Sequence, residues 1–179
     1  GIPRQCALRA ECVRLGAGFG HFHGHETAAG AVEADRAIGQ IQYWGHGSWG
    51  VARVAQDRLD SGSLAEGHPH RSALERIRER MTPGAGWWFR TCDTFGSTRG
   101  QAFAQRWTEF FGREAAGFTH VIGPWQSGLH RLQPGRQPHW SSSEGLSAGT
   151  PEEPVKSTWS RPGLPNTISC LYGTVPQGW

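Results

Sequence analysis

The stretch Trp87-Trp88-Phe89-Arg90-Thr91-Cys92-Asp93-Thr94-Phe95-Gly96, continued from Gly100 through Gln101-Ala102-Phe103 to Gly112, decides the fold. Bulky, β-forming residues over 87–91 predict a strand. Cys92-Asp93-Thr94-Phe95-Gly96 reads as the turn that ends it. From Gly100, Phe103, Ala104, Trp107 and Phe110 or Phe111 recur at helical spacing. They predict a helix running to about Phe111 and closed by Gly112. Phe118-Thr119-His120-Val121-Ile122 then predicts one more strand, ended by Gly123-Pro124. Strand, turn, helix and strand in that order form a βαβ unit, so the sheet is expected to be parallel.

Upstream the same alternation holds. Thr27 is placed to cap an Ala-rich helix over 27–38, ended by Gly39. Ile41, Tyr43 and Trp44 predict a short strand over 40–44, which stops at Gly45-His46-Gly47-Ser48-Trp49-Gly50. Val51 to Leu59 reads as a second strand. Ser72 is placed to cap a helix over 73–81, where Leu74, Ile77 and Met81 share a face and charged residues fill the other. Residues 6–15 fit a strand or a short helix. Downstream, 133–166 is rich in Pro, Ser, Gly and Glu, with isolated Trp140 and Trp159. It is expected to be either an ordered lid or a partly disordered tail. Thr167 to Val175 is expected to be a final strand. The division that follows is an α/β domain over 1–132 and a C-terminal extension over 133–179.

The 179 residues are one domain's worth, and nine Trp with eight Phe supply a core that argues against disorder. Net charge is +3, but the chain has a single lysine, Lys156, and its arginines are scattered. Without a dense basic cluster, nucleic acid is not expected as a partner. No apolar run approaches the ~20 residues of a membrane span. No signal peptide is visible, so localisation stays open. The chain opens on Gly1, which leads us to expect a fragment. Cys6, Cys12, Cys92 and Cys170 form no CxxC pair, so a cysteine zinc site is not expected.

Two strand ends carry reactive side chains: His46 within a glycine turn, and Cys92. Sites in open α/β sheets form at the carboxyl ends of strands. Neighbouring parallel strands would bring both residues to one rim, as a thiol nucleophile with an imidazole base requires. The backbone N–H groups of Gly47 and Cys92 are candidates for an oxyanion hole. Trp125-Gln126-Ser127, just past the last strand of the unit, is expected to border the substrate groove. No cofactor is expected. His21, His23 and His25 alternate and would share one face of a strand, a weaker candidate for a metal. His68, His70, His130 and His139 fall in Pro/Gly loops with no ligand spacing. Ser48 lacks the G-x-S-x-G setting of a serine nucleophile, and no P-loop occurs.

The order of a strand ending in His-Gly, then a strand ending in Cys with a helix after it, resembles the caspase-like cysteine peptidases. The segment from Cys92 through Gly112 to the strand at Phe118 is most similar to the caspase-like domain of large bacterial surface and adhesin-type proteins. The resemblance spans residues 38–123. It implies a three-layer α/β fold with a mostly parallel sheet, Cys92 as nucleophile, His46 as base, and a peptide or protein substrate. Arg90 and Thr91 stand where that family has small residues. Asp93 follows the cysteine, and its charge would raise the thiol pKa. The alternative is a catalytically inactive module of the same fold that binds peptide or glycan through Trp125, Trp140, Trp159 and Trp179. Oligomeric state is not legible.

Overall fold

The computed structural model describes residues 11–16 and 37–177. The expected helix over 27–38 falls outside them except at its end, where Ile38 opens a strand. The triad His21, His23 and His25 also lies outside. The architecture is mixed α/β. Its main sheet holds five strands: β1 (Glu11–Gly16), β2 (Ile38–Trp44), β6 (Met81–Arg90), β7 (Glu114–Phe118) and β9 (Leu129–Leu132). They lie in that order across the sheet. The first four are parallel, and β9 runs antiparallel to β7.

Between β2 and β6 the chain forms a three-stranded antiparallel hairpin unit, β3 (His46–Ser48), β4 (Val51–Val54) and β5 (Asp57–Leu59). The expected continuous strand over 51–59 is therefore two strands. Ala55 takes a left-handed φ of 52° at the turn between them. A 3-10 turn (Ser61–Leu64), capped by Asp60, leads to α1 (Arg71–Arg80). Helix α2 (Ser97–Phe111) follows β6 and ends on Gly112, whose φ of 59° is the left-handed cap that glycine takes without strain.

The two faces of the sheet are covered differently. Alternation along β2 and β6 sends Ile41, Tyr43, Trp87 and Phe89 to one side. There they meet Leu74 and Ile77 of α1 and Phe103, Trp107 and Phe111 of α2 in one core. The Trp107 ring stands 5.2 Å from that of Trp87 and 5.3 Å from that of Phe89. Burying rings of this size contributes an upper estimate of about 4–6 kcal/mol each. The opposite face carries Trp88, Ala116, Phe118 and Leu129. Ile168 covers it, with Ile122 and Val175 alongside. Among the described residues both helices thus lie on one face, and irregular C-terminal chain covers the other.

Three further strands differ from expectation, the first being β6, which opens at Met81 and runs through the Pro83–Gly86 stretch expected to break the chain. The strand expected over 118–122 ends where it was to begin: β7 is Glu114–Phe118. Its Ala115, Ala116 and Gly117 are poor strand formers in isolation. Gly117 is small because a large ring lies over it: a Cβ there would stand 2.5 Å from the Phe95 ring, while Ala115 and Ala116 are buried on opposite faces of the sheet. The final strand expected over 167–175 shrinks to β12 (Ile168–Ser169), paired with β8 (Trp125–Gln126).

Two residues of the chain after β9 enter these cores, Trp140 the first and Ile168 the second. Trp140 is 6% exposed. Its ring stacks on Phe95 at 5.7 Å, and its Nε1–H donates to the Phe95 carbonyl at 3.0 Å. A hairpin of β10 (Leu146–Gly149) and β11 (Pro154–Ser157) follows.

Buried Arg90 ties the C-terminal segment down on the second face. Its guanidinium lies between the rings of Trp44 and Trp88, at 3.7 and 4.0 Å. It donates to the carbonyls of Cys170 and Tyr172 and to Gln126 Oε1. No helix among the described residues is long and apolar enough to cross a membrane.

Candidate active site

The carboxyl ends of β2 and β6 form the rim that matters. In their parallel register Trp44 pairs with Arg90. His46 and Cys92 each stand two residues beyond that pair, so neighbouring strands deliver them to the same edge. The hairpin then folds back across the cysteine turn. A Cβ on Gly47 would lie 3.0 Å from the Cys92 carbonyl oxygen and 2.8 Å from Thr91 Cβ. Only glycine permits that approach. Further along, the Gly50 N–H donates to the Thr94 carbonyl at 2.9 Å.

The cysteine turn is held from the opposite side by β7 and the chain after it. Asp93 N–H donates to the His120 carbonyl and Phe95 N–H to the Phe118 carbonyl, both at 2.9 Å. Within this turn Asp93 and Ser97 have φ of 38° and 63°. Left-handed backbone at non-glycine residues costs on the order of 1–3 kcal/mol each and persists only where neighbours impose it. Here they do: Asp93 is 6% exposed and Ser97 is fully buried.

Cys92 is half-buried, and its Sγ–H points at the Ile122 carbonyl 3.9 Å away. Burial pushes the thiol pKa up, and the neighbouring Asp93 carboxylate adds to the rise. Asp93 is itself raised by burial, opposed by a hydrogen bond from the Ser157 hydroxyl. His46 is exposed. The rim thus brings the backbone of His46 and Gly47 against that of Cys92, while the thiol's partner is the Ile122 carbonyl and not the imidazole.

The residues expected to border the groove separate. Trp125 is 44% exposed and opens β8, just past Ile122 in the chain. Gln126 and Ser127 are buried. Gln126 accepts from Arg90, while Ser127 is held by Ser160, Arg161 and Thr167. Their polar atoms serve the fold, which corrects the expectation that they face a substrate. Trp159, paired with Val121 across an isolated bridge, is 66% exposed.

One polar cluster escaped the sequence reading. Glu144 accepts from Thr119 Oγ1 and pairs with His130 Nε2, each at 2.7 Å, and His120 Nδ1 lies 2.9 Å from the same threonine hydroxyl. Burial lowers the His120 pKa, so its ring is neutral at neutral pH. Burial alone would raise Glu144, but the hydrogen bonds from His130 and Thr119 and the neighbouring imidazoles together outweigh it and hold the carboxylate low. His130 belongs to β9, not to a loop as expected. With β7 placed at 114–118, Thr119 and His120 fall at the carboxyl rim, the signal that could have found them. No group of three or more potential ligands among the described residues has metal-binding geometry. No protein-family model matches the chain, and no curated protein matches it significantly.

Proposed function

We propose that this chain is a cysteine peptidase of the caspase-like type, hydrolysing peptide bonds through Cys92 and His46. The observation that carries the reading is the register of β2 on β6, which sets both residues at one carboxyl rim. The hairpin after the histidine, the strained cysteine turn and the mostly parallel sheet support it. In this scheme His46 takes the Cys92 thiol proton as the sulfur attacks the scissile carbonyl carbon, and the C–N bond then breaks as His46 passes that proton to the departing amine, leaving a thioester. The N–H groups of Gly47 and Cys92 steady the oxyanion. Water, deprotonated by His46, then releases the acid and restores the thiol.

The second reading, a binding module without turnover, is favoured by the raised thiol and by exposed Trp125 and Trp159. A peptide-library cleavage assay on the native chain, Cys92→Ala and His46→Ala separates them. Cleavage lost in both variants is expected, since nucleophile and base act as a unit. Cleavage that survives Cys92→Ala removes the dyad. No cleavage by the native chain leaves the binding module.

A further inference from the structure

A cleft separate from the Cys92 thiol lies where the hairpin unit meets α2, beside the turn that Gly50 joins by its hydrogen bond to Thr94. An open cleft of about 570 Å³ is lined there by Trp49, Arg58, Asp60, His68, Arg99 and Arg106, among others. Its size suits a small ligand. None of His46, Gly47 or Cys92 lines it.

The charge in this cleft is unbalanced. Arg58 Nε pairs with Asp60 Oδ2 at 3.1 Å. The other Asp60 oxygen is spent on capping the 3-10 turn, accepting from Gly62 and Ser63 N–H. Arg99 and Arg106 have no ion-pair partner among the described residues. They stand seven positions apart on α2, two turns along one helical face. Ala102 between them leaves the floor open. Trp49 forms part of the cleft wall. Three guanidiniums against one carboxylate leave a surplus of two positive charges.

We propose that this cleft binds a phosphate-bearing ligand. A phosphoryl group carries up to two negative charges and three terminal oxygens, which match that surplus and the forked geometry of arginine better than a single carboxylate does. The phosphate can belong to a free small molecule or to a phosphorylated side chain. The site stands whether or not the chain hydrolyses peptides.

Calorimetric titration of the intact chain at low ionic strength tests this, using inorganic pyrophosphate, a phosphoserine peptide, and the same peptide unphosphorylated. Saturable binding of pyrophosphate or of the phosphopeptide is expected, and whichever binds more tightly identifies the source. Both arginines are exposed, so the double variant R99Q/R106Q is expected to keep its circular dichroism spectrum. It is expected to lose affinity by roughly tenfold or more. The proposal is overturned if neither phosphate probe binds, if the double variant binds as the native chain does, or if the unphosphorylated peptide binds equally well.

Discussion

At the scale of single residues, Cys92 combines a rim position with a thiol that its surroundings keep protonated. The largest cause is burial, and Asp93 adds its charge. Removing that charge should lower the thiol pKa and enlarge the thiolate fraction near neutral pH. Asp93→Asn is therefore expected to speed iodoacetamide labelling of Cys92 about two- to tenfold at pH ~7.5, read by peptide mass spectrometry. An unchanged rate would mean that Asp93 carries no charge there. Gly47 makes the complementary point about space. A methyl group added to it meets Thr91 and Thr94, both fully buried and unable to withdraw. Gly47→Ala is expected to cost about 1–3 kcal/mol of stability in urea titration. A cost near zero would show that the hairpin does not press on the cysteine turn as described.

At the scale of elements, one tryptophan decides whether the chain after β9 belongs to the core. Trp140 stacks on Phe95 at 5.7 Å and on His130 at 4.8 Å, and it satisfies the Phe95 carbonyl. Trp140→Ala is expected to destabilise by about 3–5 kcal/mol in urea titration, since it opens a cavity beside the cysteine turn and strands a buried acceptor. A loss below about 1 kcal/mol would detach that segment from the core. Trp140 also marks the boundary of what the sequence makes legible. Strands β2 and β6 and helix α2 could be read because aromatic runs, helical spacing and glycine stops are local signals. Hence the positions of His46 and Cys92 at strand ends were readable too. Strand β7 is hard to read because its Ala-Ala-Gly run carries no local strand signal, and Gly117 is explained only by Phe95, remote in sequence. The burial of Trp140, Gln126 and Ser127 is not legible for the same reason: their partners are remote, and nothing near them announces it.

At the scale of the whole molecule, the Thr119, His120, His130 and Glu144 cluster joins the end of β7, strand β9 and the chain leading to β10. It should couple stability to pH. His120 has a folded pKa below its ordinary value of about 6.5, because burial disfavours the imidazolium. Above about pH 6.5 the ring is neutral in both states and exerts no effect. Below it the unfolded chain binds the proton more readily, so stability falls. Glu144 is depressed in the fold, so its contribution is complete above the ordinary glutamate range and is lost as pH falls through the folded value. Asp93 acts in the opposite sense. Its raised pKa gives a contribution that is present in acid and disappears as pH rises through the folded value. Glu144 and Asp93 therefore oppose each other on acidification, and His120 supplies the decline that begins below about pH 6.5. The expected Tm profile is flat above pH ~6.5 and declines below it. In His120→Asn that first decline should flatten, whereas Glu144→Gln should lower Tm at neutral pH and weaken the later, more acid loss. Differential scanning calorimetry between pH ~4 and ~8 reads all three curves. A native profile that stays level down to pH ~5, or an unaltered onset in His120→Asn, would show that the buried imidazole is not what the fold must keep uncharged.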